Sequence, residues 1–293
     1  MRVAIIGGDK RMLFAARAFC DKGADVSVAG FDGLERFSGI GIMEPSEAAA
    51  WADNIVLPLP CVKDGRIVAP FSERAILPHE LLSDIGEKRV FCGMKERLTP
   101  TRCRVYDYAS REDFAYRNAI LTAEGAIQTA MSRYEGSIFG CRALVLGMGR
   151  IGRVLSQDLS ALHADVTVAA RKESDRAYVE ALGMTAADYS LREKYDYDLI
   201  FNTVPAMVLP ADVLSRTDER TVIIDLASAP GGVDFDYARR RSLTAVHALS
   251  LPGRCAPAAA GRIIQETIIN IIKEEDGEKE DNRLCDDGVV LHL

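Results

Sequence analysis

The run Ala143-Leu144-Val145-Leu146-Gly147-Met148-Gly149-Arg150-Ile151-Gly152 constrains what this chain can fold into more than any other stretch. Four apolar residues that read as a buried parallel strand lead directly into G-x-G-x-x-G, and a helical pattern follows. In that setting each glycine has a task. The first permits a tight turn, the second lets backbone approach a pyrophosphate, and the third allows helix and strand to pack closely. The N–H groups and dipole of the helix then face an anion. Gly147, Met148, Gly149, Arg150, Ile151 and Gly152 are therefore expected to hold a dinucleotide.

A cofactor with a free ribose 2′-hydroxyl calls for Asp or Glu after the next strand, about 20 residues on. The next strand is expected over 166–169, and Ala170-Arg171-Lys172 follows it. A guanidinium at that position suits a 2′-phosphate, because its planar fork makes paired charge-assisted bonds, with Lys172 adding charge. The expected cofactor is NADP rather than NAD. Asn202-Thr203-Val204-Pro205 follows another apolar run, where the chain of such folds passes beneath ribose and nicotinamide. By contrast, Gly7-Gly8-Asp9-Lys10-Arg11 lacks the three-glycine spacing and is not counted as a second dinucleotide site. Arg11, opening a helix, is a candidate for an anionic group of a substrate.

Short apolar runs alternate with helical patterns on both sides of a helical segment expected over 111–134, which points to parallel sheets covered by helices. The fold expected is α/β, with two Rossmann-like doubly wound domains and a cleft between them. The first domain is expected over 1–117, completed by a C-terminal helix at 258–275, and the dinucleotide-binding domain over 118–257. Residues 58–78, punctuated by prolines, read as a surface excursion. From Lys273 to Asp287 the chain carries eight acids against three bases, so most of the net charge of −7 lies there. That segment has little to bury, and 276–293 is expected to be a disordered acidic tail. An acidic balance argues against nucleic acid as a partner. No apolar run reaches the roughly 20 residues of a membrane helix, and Met1-Arg2 leads straight into a strand rather than a signal peptide. Seven scattered cysteines without Cys-x-x-Cys or nearby histidines support neither zinc nor a disulfide framework. A cytoplasmic protein without a metal is the expectation.

Several blocks together resemble the A subunits of dipicolinate synthases from spore-forming bacteria. They are Ile5 to Arg11, Thr122-Ala-Glu-Gly-Ala126, the Gly147 to Gly152 loop with Arg171, Asn202 to Pro205, Asp225-Leu-Ala-Ser-Ala-Pro-Gly-Gly232, and Leu251-Pro-Gly253 with Ala256-Pro257. The resemblance spans nearly the whole chain up to the tail. It departs from the family pattern at Leu121, where proline is usual, and at Ala258, where lysine is usual. It implies NADP-dependent oxidation of a dihydrodipicolinate-type, lysine-pathway ring to pyridine-2,6-dicarboxylate for spore formation. The setting would be the mother-cell cytoplasm. The implied partners are a flavoprotein-like B subunit and a small dicarboxylate substrate, with room for homo-oligomers.

The architecture is also similar to that of D-2-hydroxyacid dehydrogenases, which carry an arginine in the loop matching 226–234 and a histidine where Ala258 stands. Both are missing, so the usual carboxylate clamp and proton donor of a keto-acid reductase are absent. Ring dehydrogenation needs less: a placed base and groups that bind the two carboxylates. On the family block, Glu124 and Thr122 are the catalytic candidates, and Arg11, Asn118, Ser228 and Arg254 the substrate-binding ones. His247 and Lys95 read as packing or exposed residues. Two other readings stay open: a non-catalytic NADP-binding component that scaffolds or senses, and a hydroxyacid or shikimate-type dehydrogenase.

Overall fold

A computed structural model describes residues 1–33, 40–83, 85–99, 102–189 and 196–286, with side chains of the last helix to residue 277. The chain divides into two compact units, Met1–Ala115 with the chain from Pro257 onwards, and Tyr116–Ala256.

In the first unit, strands β1 (Arg2–Ile6), β2 (Asp25–Ala29), β3 (Gly41–Ile42) and β4 (Asn54–Val56) are followed by a hairpin, β5 (Val62–Lys63) and β6 (Arg66–Ile67). Then come β7 (Arg89–Cys92) and β8 (Arg104–Asp107). Apart from the hairpin they form one parallel sheet in the order β3-β2-β1-β4-β7-β8. Three helices connect them: α1 (Lys10–Asp21), α2 (Pro45–Trp51) and α3 (Pro78–Leu82). Val3, Ile5, Val26 and Val28 point to one face of the sheet, and Ala4, Ile6 and Ala29 to the other, each into its own buried cluster. A strand buried on both faces must be apolar throughout, which is why 3–6 reads as a continuous run. The hairpin lies inside the expected surface excursion. The β3, β8 and hairpin strands escaped the sequence reading because pieces two to four residues long at an edge or in a loop carry too little periodicity.

The helix α4 (Glu112–Met131) leads into the second unit. There the strands β9 (Arg142–Leu146), β10 (Asp165–Ala169), β11 (Thr185–Ala187), β12 (Leu199–Asn202), β13 (Val222–Asp225) and β14 (Thr244–His247) repeat the parallel pattern as β11-β10-β9-β12-β13-β14. Helices α5 (Arg150–Ala161), α6 (Glu173–Ala181), α7 (Ala211–Leu214), α8 (Phe235–Arg240) and α9 (Leu251–Cys255) accompany them. This is the expected doubly wound α/β class. Strand order reverses beside β9, so the crevice at the carboxyl ends of β9 and β12 is where a ligand belongs.

Two expectations about helices need correction. Helical spacing over 111–134 predicts one face shared by Ile120, Ala123, Ile127, Ala130, Met131 and Tyr134; Ala123 and Ala130 are buried as expected and Ala126 joins them, whereas Ile120 and Met131 are 45% and 56% exposed. Small residues win because α4 packs close: a Cβ on Gly125 would sit 2.9 Å from Leu251 Cβ of α9. The last helix, α10 (Pro257–Asp286), runs past the point at which an acidic tail was expected to begin. Its start is bound by packing, with Ile264, Ile268 and Ile271 against Met12, Ala16 and Phe19 of α1, each isoleucine contributing about 1.5–3 kcal/mol on burial. Its acids have partners too. Glu274 pairs with Arg111, Glu275 with Arg104, and Asp276 with Arg89 at 3.3 Å. The part of the expected tail at 287–293 lies outside the described residues.

Candidate functional site

The glycine loop of the second unit takes the shape its residues require. Gly147 has φ +104°, and a Cβ there would run into the Thr203 hydroxyl. A Cβ on Gly152 would collide with the Gly147 carbonyl, so helix α5 approaches the strand as closely as only glycine allows. Gly149 differs from both. Its backbone is ordinary, with φ −77°, and a Cβ there would meet nothing within 4 Å. No side chain caps α5 at this residue, leaving its amino-terminal turn facing open space.

That space is a cavity of about 940 Å³. Gly147, Met148 and Gly149 form one wall, Thr203, Val204 and Pro205 another, and Arg171 and Lys172 stand at its edge. Both cations are exposed. Among the described residues, none bonds to the Arg171 guanidinium. Thr203 is held by its hydroxyl to the Leu146 carbonyl at 2.8 Å and by its amide to the same oxygen at 2.9 Å. The donor set therefore fits a dinucleotide: an uncapped helix start behind an open glycine for a pyrophosphate, and two free cations where a phosphate on the ribose would fall.

Several lining residues escaped the sequence reading, among them the polar Arg153, Asp175 and Tyr189. Arg153 donates to the Met148 carbonyl at 3.2 Å and to Asp175 at 3.3 Å, bracing the loop against α6. Tyr189 is half-buried beside Arg171, and burial pushes its phenol up while the guanidinium pulls the other way. The available signal was positional: Tyr189 follows β11 much as Arg171 follows β10.

Arg150, Ile151, Gly152 and Asn202 do not line the cavity. The first two begin α5, Gly152 is its close-packing point, and Asn202 is fully buried beneath the loop it supports. Thr122 lies in the middle of α4, and its hydroxyl donates to the Asn118 carbonyl at 2.8 Å. Glu124 is exposed on the same helix, and its charge adds to the burial that raises Asp158 of α5. Ser228 and Arg254 are exposed on the loop after β13 and on α9, and Asn118 is half-buried. None of these five residues lines the cavity.

Arg11 stands in the first unit. Its Nε lies 2.9 Å from Asp9 and a terminal nitrogen donates to the Leu59 carbonyl at 3.0 Å. The glycine pair beside it is closed: the Gly8 amide donates to the Val68 carbonyl at 2.6 Å, and Asp9 caps α1 with its own carboxylate. The Gly7 amide is taken as well, donating to the Ala29 carbonyl at 2.9 Å, so neither glycine offers a phosphate a free N–H. A separate cavity in this unit, about 340 Å³, carries Asp32, Glu44, Glu73 and Glu80 against one arginine, Arg74, a polarity that repels phosphate. Among the described residues no group of acids, histidines and cysteines is arranged to hold a metal ion, and no helix is long and apolar enough to cross a membrane.

The family model for the N-terminal domain of the dipicolinate synthase A subunit matches residues 2–109. The A subunit of dipicolinate synthase from Bacillus subtilis (strain 168) is 32% identical over 291 residues, covering 95% of this chain and 98% of its own. The crystal structure of its counterpart from Bacillus halodurans, the same A subunit of dipicolinate synthase, superimposes with a TM-score of 0.82 at 33% identity, over 92% of this chain and 97% of that one. The fold alone is shared with D-lactate dehydrogenase from Escherichia coli, at 13% identity and a TM-score of 0.60, over 94% of this chain and 98% of that one.

Proposed function

The chain belongs to the family of dipicolinate synthase A subunits, and from that premise we propose that it oxidises a dihydrodipicolinate-type ring to pyridine-2,6-dicarboxylate with NADP⁺. The observation that carries this reading is the 940 Å³ cavity, with the open Gly149 at the start of α5 and the free Arg171 and Lys172 at its edge. Bound there, the nicotinamide supplies a hydride acceptor. The glycine-loop amides hold the pyrophosphate, Arg171 and Lys172 hold the 2′-phosphate, and Thr203 to Pro205 form the floor under the ribose and nicotinamide.

The ring loses one hydride and one proton to become aromatic, so the protein's remaining task is to orient the substrate and accept that proton. Glu124 is the base in this reading. Its exposure leaves the carboxylate able to take a proton and return it to water. Thr122, back-bonded to Asn118, keeps two acceptor lone pairs but no spare proton, so it orients rather than donates. Asn118, Ser228 and Arg254 bind the two substrate carboxylates, with Arg254 giving the charge-assisted bonds. Arg11 contributes only if a substrate carboxylate replaces Asp9 as its partner. A flavoprotein-like B subunit is the proposed partner, and the mother-cell cytoplasm during spore formation the proposed setting.

The test mixes freshly generated lysine-pathway intermediate with NADP⁺ and purified protein, with and without the B subunit. NADPH and dipicolinate absorbance are followed together. Matched formation of both above the uncatalysed rate is expected. Dipicolinate appearing only at the uncatalysed rate in both mixtures would favour a binding or scaffold role.

A further inference from the structure

We propose that Asn202 and Asp225 are paired positioning residues that couple the nucleotide cavity to the loop at 226–232, so that nucleotide binding orders the backbone presenting Ser228. The inference rests on the reading of the cavity given above.

The two residues stand side by side in register at the carboxyl ends of β12 and β13, and both are fully buried. Asn202 Nδ2 donates to Asp225 Oδ1 at 2.8 Å. Each then uses its remaining valences on a different loop. Asn202 Nδ2 donates to the Val204 carbonyl at 3.1 Å, and its Oδ1 accepts from the Val204 amide at 2.9 Å, fixing the segment that floors the cavity. Asp225 Oδ1 accepts from the Ala227 amide at 3.0 Å and Oδ2 from the Gly232 amide at 2.8 Å, so one carboxylate staples both ends of the second loop.

Gly232 is where the loops meet. Its carbonyl accepts from the Val208 and Leu209 amides at 3.0 and 2.9 Å. A Cβ on it would collide with Asn202 Nδ2 and come within 2.6 Å of the Ala206 carbonyl. On the far side, His247 Nε2 lies 3.0 Å from the Ala227 carbonyl, with the ring stacked on Phe235.

The chemistry explains why these residue types are used. Asp225 receives three N–H donors and forms no ion pair among the described residues. A carboxylate offers acceptors alone, so it serves all three without a mismatch, whereas an amide in its place would set an N–H against an N–H. A buried network whose members are all satisfied is stiff, because breaking one bond strands a polar group away from water. A ligand that presses on Val204 therefore cannot shift it without moving Asn202, and Asn202 cannot move without disturbing the carboxylate that holds Ala227 and Gly232. This contiguous two-loop unit is the physical link between cofactor and substrate sides.

The test is amide hydrogen exchange with and without saturating NADPH, on wild type, Asp225→Asn, and the swapped double variant Asn202→Asp with Asp225→Asn. NADPH affinity and thermal midpoint are measured in parallel. In the wild type, NADPH is expected to slow exchange of the Ala227 and Gly232 amides at least tenfold. Asp225→Asn is expected to keep NADPH affinity within about threefold while losing most of that protection. The swap reverses the 202–225 contact but sets a carboxylate at 202 against the Val204 carbonyl and an amide N–H at 225 against the Ala227 N–H, so it should not recover the protection. A merely structural pair would lower affinity and midpoint together and leave the protection of the bound form intact. NADPH binding with unchanged loop exchange in the wild type overturns the coupling alone, and that arm decides even if the variants fail to fold. Protection in Asp225→Asn equal to wild type overturns the role of the pair. No binding of NADPH or NADH to the wild type overturns both the coupling and the reading of the cavity.

Discussion

Arg111 and Glu274 meet in a two-pronged ion pair, one guanidinium nitrogen 2.6 Å from Oε2 and the other 2.9 Å from Oε1, across 163 positions of sequence. Arg111 also holds Asp113 at 2.9 Å. The start of α4 and the far part of α10 are thereby tied together within one unit. Next to this contact, burial and a hydrogen bond with Glu275 push the Tyr106 phenol up to about 12. Acids that look like a solvated tail along the sequence are, at 274–276, one side of a charged seam.

The seam makes the first unit sensitive to acid. The Arg111 hydrogen bond holds Glu274 below its ordinary value, and for Asp113 burial, which pushes the carboxyl up, is overcome by Arg111 together with the Phe114 amide and Asn270, leaving it lowered. For carboxyls lowered in the folded state, the stabilisation is fully present above the unfolded values, about 4.3 for Glu and 3.9 for Asp. It is lost as pH falls through the lower folded values. Glu274 is 56% exposed, so screening limits the pair, and Arg111→Gln should cost roughly 0.5–1 kcal/mol at neutral pH. Thermal unfolding from pH 7 to 3 is expected to show this difference shrinking as pH falls, and shrinking also in high salt.

Gly149 and Gly152 should respond oppositely to a side chain. Gly149→Val places carbons in open space on an ordinary backbone, so stability should change by less than about 0.5 kcal/mol, while pyridine-nucleotide affinity falls on the order of 100-fold, about 2.7 kcal/mol. Gly152→Ala drives a methyl into the Gly147 carbonyl, and a loss of roughly 1–3 kcal/mol in chemical denaturation is expected. The contrast separates a ligand-approach glycine from a packing glycine.

Arg171→Ala should weaken NADPH by roughly 10–100-fold, the value of about 1.5–3 kcal/mol for hydrogen bonds to a charged group. NADH, lacking the 2′-phosphate, should change little. Fluorescence titration of both nucleotides checks this, and equal wild-type affinities for the two would remove the case for NADP.

Legibility followed the range of the interactions. Gly147 to Gly152 and Arg171 were readable because a turn, a helix start and a strand end are encoded within a few residues of one another. The parallel α/β class was readable because strands such as 3–6 and 143–146 are apolar on both faces. The Asn202–Asp225 pair was not, since 23 residues separate its members and neither carries a motif beyond its own loop. Nor were the partners of Glu274 to Asp276, which lie more than 160 positions away. On α4, apolar spacing picked out Ala123 and Ala130 correctly but added Ile120 and Met131, because the closeness of α9 favours alanine and glycine over larger side chains. Glu124 rested on its family block alone, and it stands exposed midway along α4.

Glu124→Gln should reduce turnover by about 100-fold or more, in the range general-base removal gives, with NADPH affinity and thermal midpoint within error of wild type because the residue is exposed and away from the cavity lining. Normal turnover would assign proton removal to another group.

The most direct measurement uses substrate prepared with deuterium at every ring carbon, so that the hydride carbon is labelled whichever it is, turned over with NADP⁺ and analysed by mass spectrometry of the nucleotide. Direct hydride transfer to NADP⁺ places one deuterium in each reduced nucleotide per dipicolinate formed, and the proposed preference requires this with NADP⁺ well before NAD⁺. Dipicolinate formed with the deuterium released to water and none in the nucleotide would contradict the account.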